Sequence, residues 1–298
     1  MGNLKDIPLF LVYQAVAALF FLLPRPLCLG LGRAFGLLAF HLDAKHRRLA
    51  LRNLRLAFGS RPPEERERIG RSAFGHFGQV LADIIKLPFL NEKRIQKLTR
   101  LEGADHLRKA LQNGRGALIF TAHFGNWEAA VYPVSRIAVL NVIARELDNT
   151  LVERRLLRLR NTLGARVIYK NRAAREVLQA LRRNEIAAIL IDQNVLRREG
   201  VFVDFFGRPA STTPALAAFH LQTGAPLLPV ICLIDPDGSY RIRIDPPLTF
   251  TPSGRRAEDV LKITQLCTRI IENQVRERPE LWLWIHDRWR SRPTENHG

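Results

Sequence analysis

The chain has 298 residues, 47% of them hydrophobic and 25% charged, with 46 lysines and arginines against 28 acidic residues and a formal net charge of +18. This is the composition of a globular chain, long enough for one large α/β domain or two small ones, and its positive excess calls for an anionic partner such as nucleic acid, anionic lipid, a phosphorylated cofactor or an acidic protein. Cys28, Cys232 and Cys267 stand far apart with no paired spacing, so a disulfide frame and a cysteine metal site are excluded in favour of buried thiols in a reducing compartment.

Ile7 to Leu23 is apolar except for Gln14, bounded by Lys5-Asp6 before it and Pro24-Arg25-Pro26 after it. At about 1.5 Å per residue it reaches about 25 Å as a helix, a little short of a hydrocarbon core of about 30 Å. Arg25, Arg33, Lys45, Arg47 and Arg48 follow, so the positive-inside rule places the rest of the chain in the cytoplasm. No small-x-small site precedes Pro24, which argues against a cleaved signal peptide; a helix buried in the globular body is the competing reading. Leu27 to Phe40, with Gly30, Gly32, Gly36 and Arg33, is expected to form an interfacial helix. Ala44 to Phe58 sets leucines among Lys45, Arg47, Arg48, Arg52 and Arg55, a pattern that fits either an anionic membrane surface or a solvated basic face. Pro62-Pro63-Glu64 opens a helix that runs past Phe74, Phe77, Val80 and Ile84 toward Pro88, and His76 within it is assigned no role.

From Leu98 the texture changes to alternating short apolar runs and helical segments, the mark of β-α units. Strands are expected near Leu98–Glu102, Ala117–Ala122, Val139–Ala144, Arg166–Tyr169, Ala187–Ile191, Leu227–Leu233 and Tyr240–Ile244, the last two joined by a turn at Asp235-Pro236-Asp237-Gly238. The fold class is therefore α/β, a mostly parallel central sheet flanked by helices, behind an N-terminal membrane-anchoring helix and a helical N-terminal region. The expected divisions are 1–25 for the anchor, 26–92 for the basic membrane-proximal helices and 93–298 for the α/β domain.

The chemistry is expected in Gly116 to Glu128. An apolar strand breaks off at polar residues, Asn126 is a good N-cap, and Trp127 and Glu128 would fill the first helical turn. Open parallel sheets bind ligands beyond the carboxyl ends of their strands, which is where His123 would stand. Glu128, favoured by the helix dipole and folded back at Gly125, could accept from one ring nitrogen and leave the other to deprotonate an alcohol. No second histidine follows on the same face, so no metal site is read here. Arg145 directly follows the next strand and could hold a phosphate bidentately. Asp192-Gln193-Asn194 ends a further strand at the same edge, as a capping turn or as a polar wall of the site. Val201 to Gly207 would bring Phe205 and Phe206 beside the site, with a tight turn at Gly207. Ser211-Thr212-Thr213-Pro214 reads as a hydroxyl-capped helix start whose amides suit phosphate, although capping alone explains it equally well. A final helix spans about Ala257 to Arg276. Beyond it Trp282, Trp284 and Trp289 lie among Arg288, Arg290 and Arg292, a composition that suits either a membrane interface or burial. No Walker loop, Gly-x-Gly-x-x-Gly fingerprint or Gly-x-Ser-x-Gly elbow is present, which removes the commoner nucleotide and hydrolase readings.

His123-Phe124-Gly125-Asn126-Trp127-Glu128 resembles the signature of the bacterial lipid A biosynthesis acyltransferases, within the lysophospholipid acyltransferase superfamily. Arg47 to Leu54, Ile191-Asp192-Gln193-Asn194, Val201 to Gly207, Ser211-Thr212-Thr213 and Pro279 to His286 look like that family too, in its order and over nearly the whole chain. The resemblance implies a membrane-associated O-acyltransferase on the cytoplasmic face of a bacterial inner membrane, with no cofactor. It implies an acyl carrier protein or coenzyme A thioester as donor and a phosphorylated glycolipid, a lipid A precursor, as acceptor. It points to His123 and Glu128 as catalytic residues and to Asn126, Arg145, Asp192, Gln193, Gly207, Thr212 and Thr213 as substrate-binding. The family usually follows the Arg145 position with a proline or similar turn residue, where this chain has Glu146 and Leu147. An acyl-CoA-dependent transferase acting on another glycolipid or lysophospholipid is the enzyme alternative. A basic membrane- or nucleic-acid-binding module is the other; it lacks a recognition helix or base-stacking motif, so nucleic acid is not the expected partner.

Overall fold

The structure, a computed structural model, describes residues 7–147, 149–235 and 237–293, with the backbone alone at Leu9. The Lys5-Asp6 flank and Pro236 of the expected turn lie outside them. Four helices come first: α1 (Ile7–Leu22), α2 (Arg25–Leu42), α3 (Ala44–Ala57) and α4 (Pro63–Lys86). Then come α5 (Glu92–Leu98), β1 (Thr99–Glu102), α6 (Ala104–Leu111), β2 (Ala117–Thr121), α7 (Val131–Ser135), β3 (Leu140–Ala144), α8 (Thr150–Thr162), β4 (Ala165–Tyr169), α9 (Ala173–Arg182) and β5 (Ile186–Leu190). The hairpin β6 (Val201–Asp204) and β7 (Pro209–Thr212) precedes α10 (Ala215–Thr223), β8 (Leu227–Ile234), β9 (Tyr240–Ile244) and α11 (Arg256–Glu277).

Seven strands form one sheet in the order β1-β9-β8-β2-β5-β3-β4. Its pairings are parallel except β8 with β9, which the turn ending at Gly238 (φ +80°) joins as an antiparallel hairpin. The expected sheet and its mostly parallel character are thus present. The central strands β2 and β5 are almost continuously buried, the pattern of a sheet covered on both faces.

The helical N-terminus is packed onto this body. Phe40, Ala50, Leu54, Phe58 and Phe74 belong to the same apolar core as Leu118, Phe120, Ile231 and Trp282. Two of the α2 glycines have a packing reason: a Cβ at Gly32 would come within 2.5 Å of the Gly78 carbonyl oxygen, and one at Gly36 would overlap that of Phe74. The two backbones, α2 and α4, therefore touch where a side chain would hold them apart. α1 lies against the body through buried Ala17 and Phe20, and Lys86 Nζ donates to the carbonyls of Phe20 (2.6 Å), Phe21 (3.3 Å) and Leu23 (2.8 Å) at its C-terminal end, where a cation is favoured. No single helix among the described residues is long and apolar enough to cross a membrane; α2 and α3 reach the needed length only as a pair bent by 90°. The outer faces of α1 and α2 nevertheless expose Leu11, Val12, Leu19, Phe21, Leu22, Phe35, Leu38 and Leu42.

Three local readings are corrected. Trp127 to Ala130 form turns and the helix begins only at Val131: the Ala129 and Val131 amides donate to the carbonyls three residues back, Asn126 (3.1 Å) and Glu128 (3.2 Å), instead of four, while the Asn126 side chain accepts from the Ala129 amide (3.2 Å) as an N-cap does. Ser211 and Thr212 belong to β7, and α10 starts at Ala215 after Pro214, with Thr213 Oγ1 accepting from the Ala215 amide. Phe205 and Phe206 sit in a buried aromatic cluster with Phe58, Trp282, Trp284 and Trp289, so the C-terminal tryptophans are core residues.

Candidate active site

The parallel register of β2 and β5 sets Thr121 opposite Leu190. Two residues beyond each, at the carboxyl edge, His123 meets Asp192. Asp192 Oδ1 lies 2.9 Å from His123 Nδ1, while Oδ2 accepts from the His123 amide (3.0 Å) and from Trp282 Nε1 (2.8 Å). Burial pushes the Asp192 carboxyl up, but the His123 ring, its hydrogen bonds and the Trp282 indole outweigh burial and hold it below the usual carboxylate range. An ionised carboxylate only accepts, so Nδ1 carries the hydrogen and, in the neutral ring, Nε2 is left with its lone pair.

The loop that presents the ring is pinned by the C-terminal segment. The Gly125 amide donates to the Leu281 carbonyl (3.0 Å) and the Leu283 amide to the His123 carbonyl (3.1 Å). Gly125 has φ +60°, and a Cβ there would overlap the Cys232 carbonyl, so only glycine fits. Asn53 on α3 secures the same segment from beneath, donating to the carbonyls of Trp284 (2.8 Å) and His286 (2.7 Å).

Glu128 is not the partner of the imidazole. Its buried carboxylate is taken by Arg160 of α8, with Nε at 3.1 Å from Oε2 and Nη2 at 2.5 Å from Oε1. The expected base and orienter therefore separate into two pairs, His123 with Asp192 and Glu128 with Arg160. The physical reason is the turn at 127–130, which leaves Glu128 facing α8, whereas strand register delivers Asp192 to the ring.

His123, with its side chain 20% exposed, opens onto a cavity of about 630 Å³. Trp127, Glu128, Arg145, Arg155, Arg160 and Gln193 give this cavity a polar wall, and Val134, Leu140, Val142, Leu156, Leu159 and Leu190 give it an apolar one. The Gln193 amide nitrogen stands 3.4 Å from His123 Nε2, and the Trp127 ring meets the imidazole edge-on at 4.8 Å. The structure thus brings His123, Glu128, Arg145 and Gln193 around one space, with Asp192 directly behind.

The remaining expected residues are placed elsewhere. Asn126 is fully buried and donates to Tyr240 Oη (2.9 Å) and Asp83 (3.4 Å), holding the loop. Gly207 is exposed in the β6–β7 turn, where its amide donates to Asp204. Thr212 is buried and accepts from Arg288, which also donates to the carbonyls of Ser211 (2.6 Å) and Gln193 (3.3 Å); Thr212 thereby reaches the site only through the Gln193 backbone. Thr213 caps α10. Neither Gly207, Thr212 nor Thr213 lines the cavity. Sequence reasoning missed Trp282, Arg160 and Arg288 as parts of the site. For Trp282 a signal existed, since a tryptophan in a motif needs a partner for its indole N–H when buried. For Arg160 none existed among four arginines on one helix.

The bacterial lipid A biosynthesis acyltransferase family model matches residues 5–291. The chain is 28% identical over 274 residues to the lipid A biosynthesis palmitoleoyltransferase of Escherichia coli, covering 91% of this chain and 88% of the relative. It is 26% identical over 275 residues to the lipid A biosynthesis lauroyltransferase of the same organism, covering 91% and 88%. To the phosphatidylinositol mannoside acyltransferase of Mycobacterium tuberculosis (strain H37Rv) it is 30% identical over 244 residues, covering 80% and 75%.

Proposed function

The chain belongs to the bacterial lipid A biosynthesis acyltransferase family and is an acyl-transferring enzyme, and from that premise we propose that it moves a fatty acyl group from a thioester to a hydroxyl of a phosphorylated glycolipid, a lipid A precursor, at the cytoplasmic face of a bacterial inner membrane. The observation that carries this reading is the His123–Asp192 pair at the mouth of a cavity whose walls are part cationic and part apolar. His123 Nε2 takes the proton of the acceptor hydroxyl as its oxygen attacks the thioester carbonyl. The tetrahedral intermediate collapses, the carbon–sulfur bond breaks, and the imidazolium returns the proton to the departing thiolate. Asp192 fixes the tautomer and balances the charge on the ring, which makes it a positioning residue. No acyl-enzyme is required.

Arg145 and Arg155, with Arg160 held by Glu128, suit phosphate recognition, and the apolar wall suits the donor chain. Acyl carrier protein is the donor favoured by charge, since an acidic carrier complements a chain of net charge +18. The exposed apolar face of α1 and α2 supports lateral seating in the bilayer. Similarity to a phosphatidylinositol mannoside acyltransferase favours the acceptor of the alternative reading, another glycolipid, and is silent on its donor.

The test is transfer by purified enzyme from palmitoyl-acyl carrier protein and from palmitoyl-CoA to a lipid A precursor, followed by mass spectrometry. His123→Ala is expected to lower the rate at least a hundredfold, within the range of general acid–base catalysis. Normal turnover in that variant refutes the proposed base; transfer from the coenzyme A thioester alone refutes the donor.

A further inference from the structure

A second cavity, of about 440 Å³, lies between α1, α2, α4 and the Trp282–Ile285 segment. Phe20, Phe35, Phe74, Phe77 and Trp284 are among its walls, and among the described residues its only ionisable lining groups are Asp43 and His46, which are bonded to each other (2.5 Å). Its inner end approaches the reaction centre. A small gap lined by Phe77, Trp282, Leu283, His123 and Trp127 shares the first three with this cavity and the last two with the cavity already described. Its outer end opens at Phe35, which is 62% exposed, and Ala39 there also borders a shallow recess walled by Leu38 and Leu42.

From this geometry we propose that the second cavity, and not the one beside Arg145, holds an acyl chain of the acceptor glycolipid. The inference rests on the proposed function. A thioester donor arrives from water on a hydrophilic carrier, and its chain has an apolar wall in the first cavity. The acceptor resides in the bilayer. The second cavity opens on the two helices whose outer faces expose Leu19, Phe21, Leu22, Leu38 and Leu42, so a bilayer chain enters it sideways without passing through water. With one chain in each cavity, the two acyl chains reach toward His123 from separate apolar spaces and do not compete for one.

Photo-crosslinking tests this on the full chain in phosphatidylethanolamine–phosphatidylglycerol vesicles. One probe is a lipid A precursor with a diazirine at each chain end; the other is palmitoyl-CoA tagged in the same way. The glycolipid is expected to label Phe74, Phe77 or Trp284, and the thioester Val134 or Leu159. Ala39→Trp, which fills the mouth, should cut the glycolipid label at least tenfold and leave the thioester label unchanged. Phe35→Asp, at an exposed position, provides a second block should the first variant lower the melting temperature. Glycolipid label on Val134 or Leu159, thioester label on Phe74 or Phe77, absence of glycolipid label from all three residues, or indifference of that label to a block in a folded variant overturns the proposal. Labelling needs no turnover, so a wild-type enzyme that labels as expected yet transfers no acyl group refutes the proposed function alone.

Discussion

His123 gains its proposed reactivity from what lies behind it. Three donors converge on Asp192, two from His123 and one from Trp282, and the carboxylate has no freedom to leave the ring. Asp192→Asn keeps the shape and removes the charge; it is expected to cost on the order of a hundredfold in kcat and to change the pH profile of the remaining activity, with KM for the donor little altered. Trp282→Phe should produce a smaller loss of the same kind. Steady-state rates across pH separate this positioning role from a structural one, which would lower the amount of folded enzyme without reshaping the profile. His76 offers a stability test. Burial lowers its pKa to about 4, only partly opposed by the Gly125 carbonyl at 3.4 Å. The unfolded chain takes this proton near pH 6.5 and the folded one only near pH 4, so unfolding binds a proton throughout that window and stability falls as pH is lowered through it. At pH 5 the loss from this residue is about 2 kcal/mol. His76→Gln should flatten the dependence of Tm on pH between 7 and 5.

At the scale of elements, α1 depends on one cation. Lys86, 6% exposed, closes the carbonyl end of α1, and Arg25 beyond it is held by both oxygens of Asp83 (2.8 Å each). Lys86→Met would leave three carbonyls without that donor, at about 1–3 kcal/mol for a buried acceptor stripped of its partner. Hydrogen exchange across Ile7–Leu22 is expected to accelerate while β2 and β5 stay protected; uniform exchange in both would contradict this anchoring. The same local logic explains why α7 starts late. Asn126 accepts from the Ala129 amide as an N-cap does, but the backbone bonds that follow run three residues back instead of four, so the segment turns without forming α-helix before Val131, while Gly125 keeps its close approach to Cys232.

For the molecule as a whole, charge and apolar exposure act together. The excess of +18 and the exposed face of α1 and α2 predict binding to vesicles rich in phosphatidylglycerol that weakens as salt rises from 0.05 to 0.5 M, as screening shortens the electrostatic reach. Replacing Leu19 and Leu22 by serine should weaken the fraction that survives high salt. Co-sedimentation measures both; salt-independent binding would leave only the apolar face in play.

The elements themselves were legible. The apolar runs of β2, β3, β5 and β8 and the proline-opened α4 are written in local composition, because backbone preference and burial act over a few residues. So was His123, at the polar break after an apolar run. Its partner was not: Asp192 is 69 residues away, and β2 and β5 become neighbours only through a strand order that departs from chain order. Glu128 stood five positions from His123 and was the natural choice in one dimension. A buried carboxylate pairs with whichever donor packing brings to it, and that donor is Arg160, placed by how α8 lies against the sheet. Local patterns therefore fixed which residues stand at the polar break beyond a strand, and only the assembled sheet decided which of them meet.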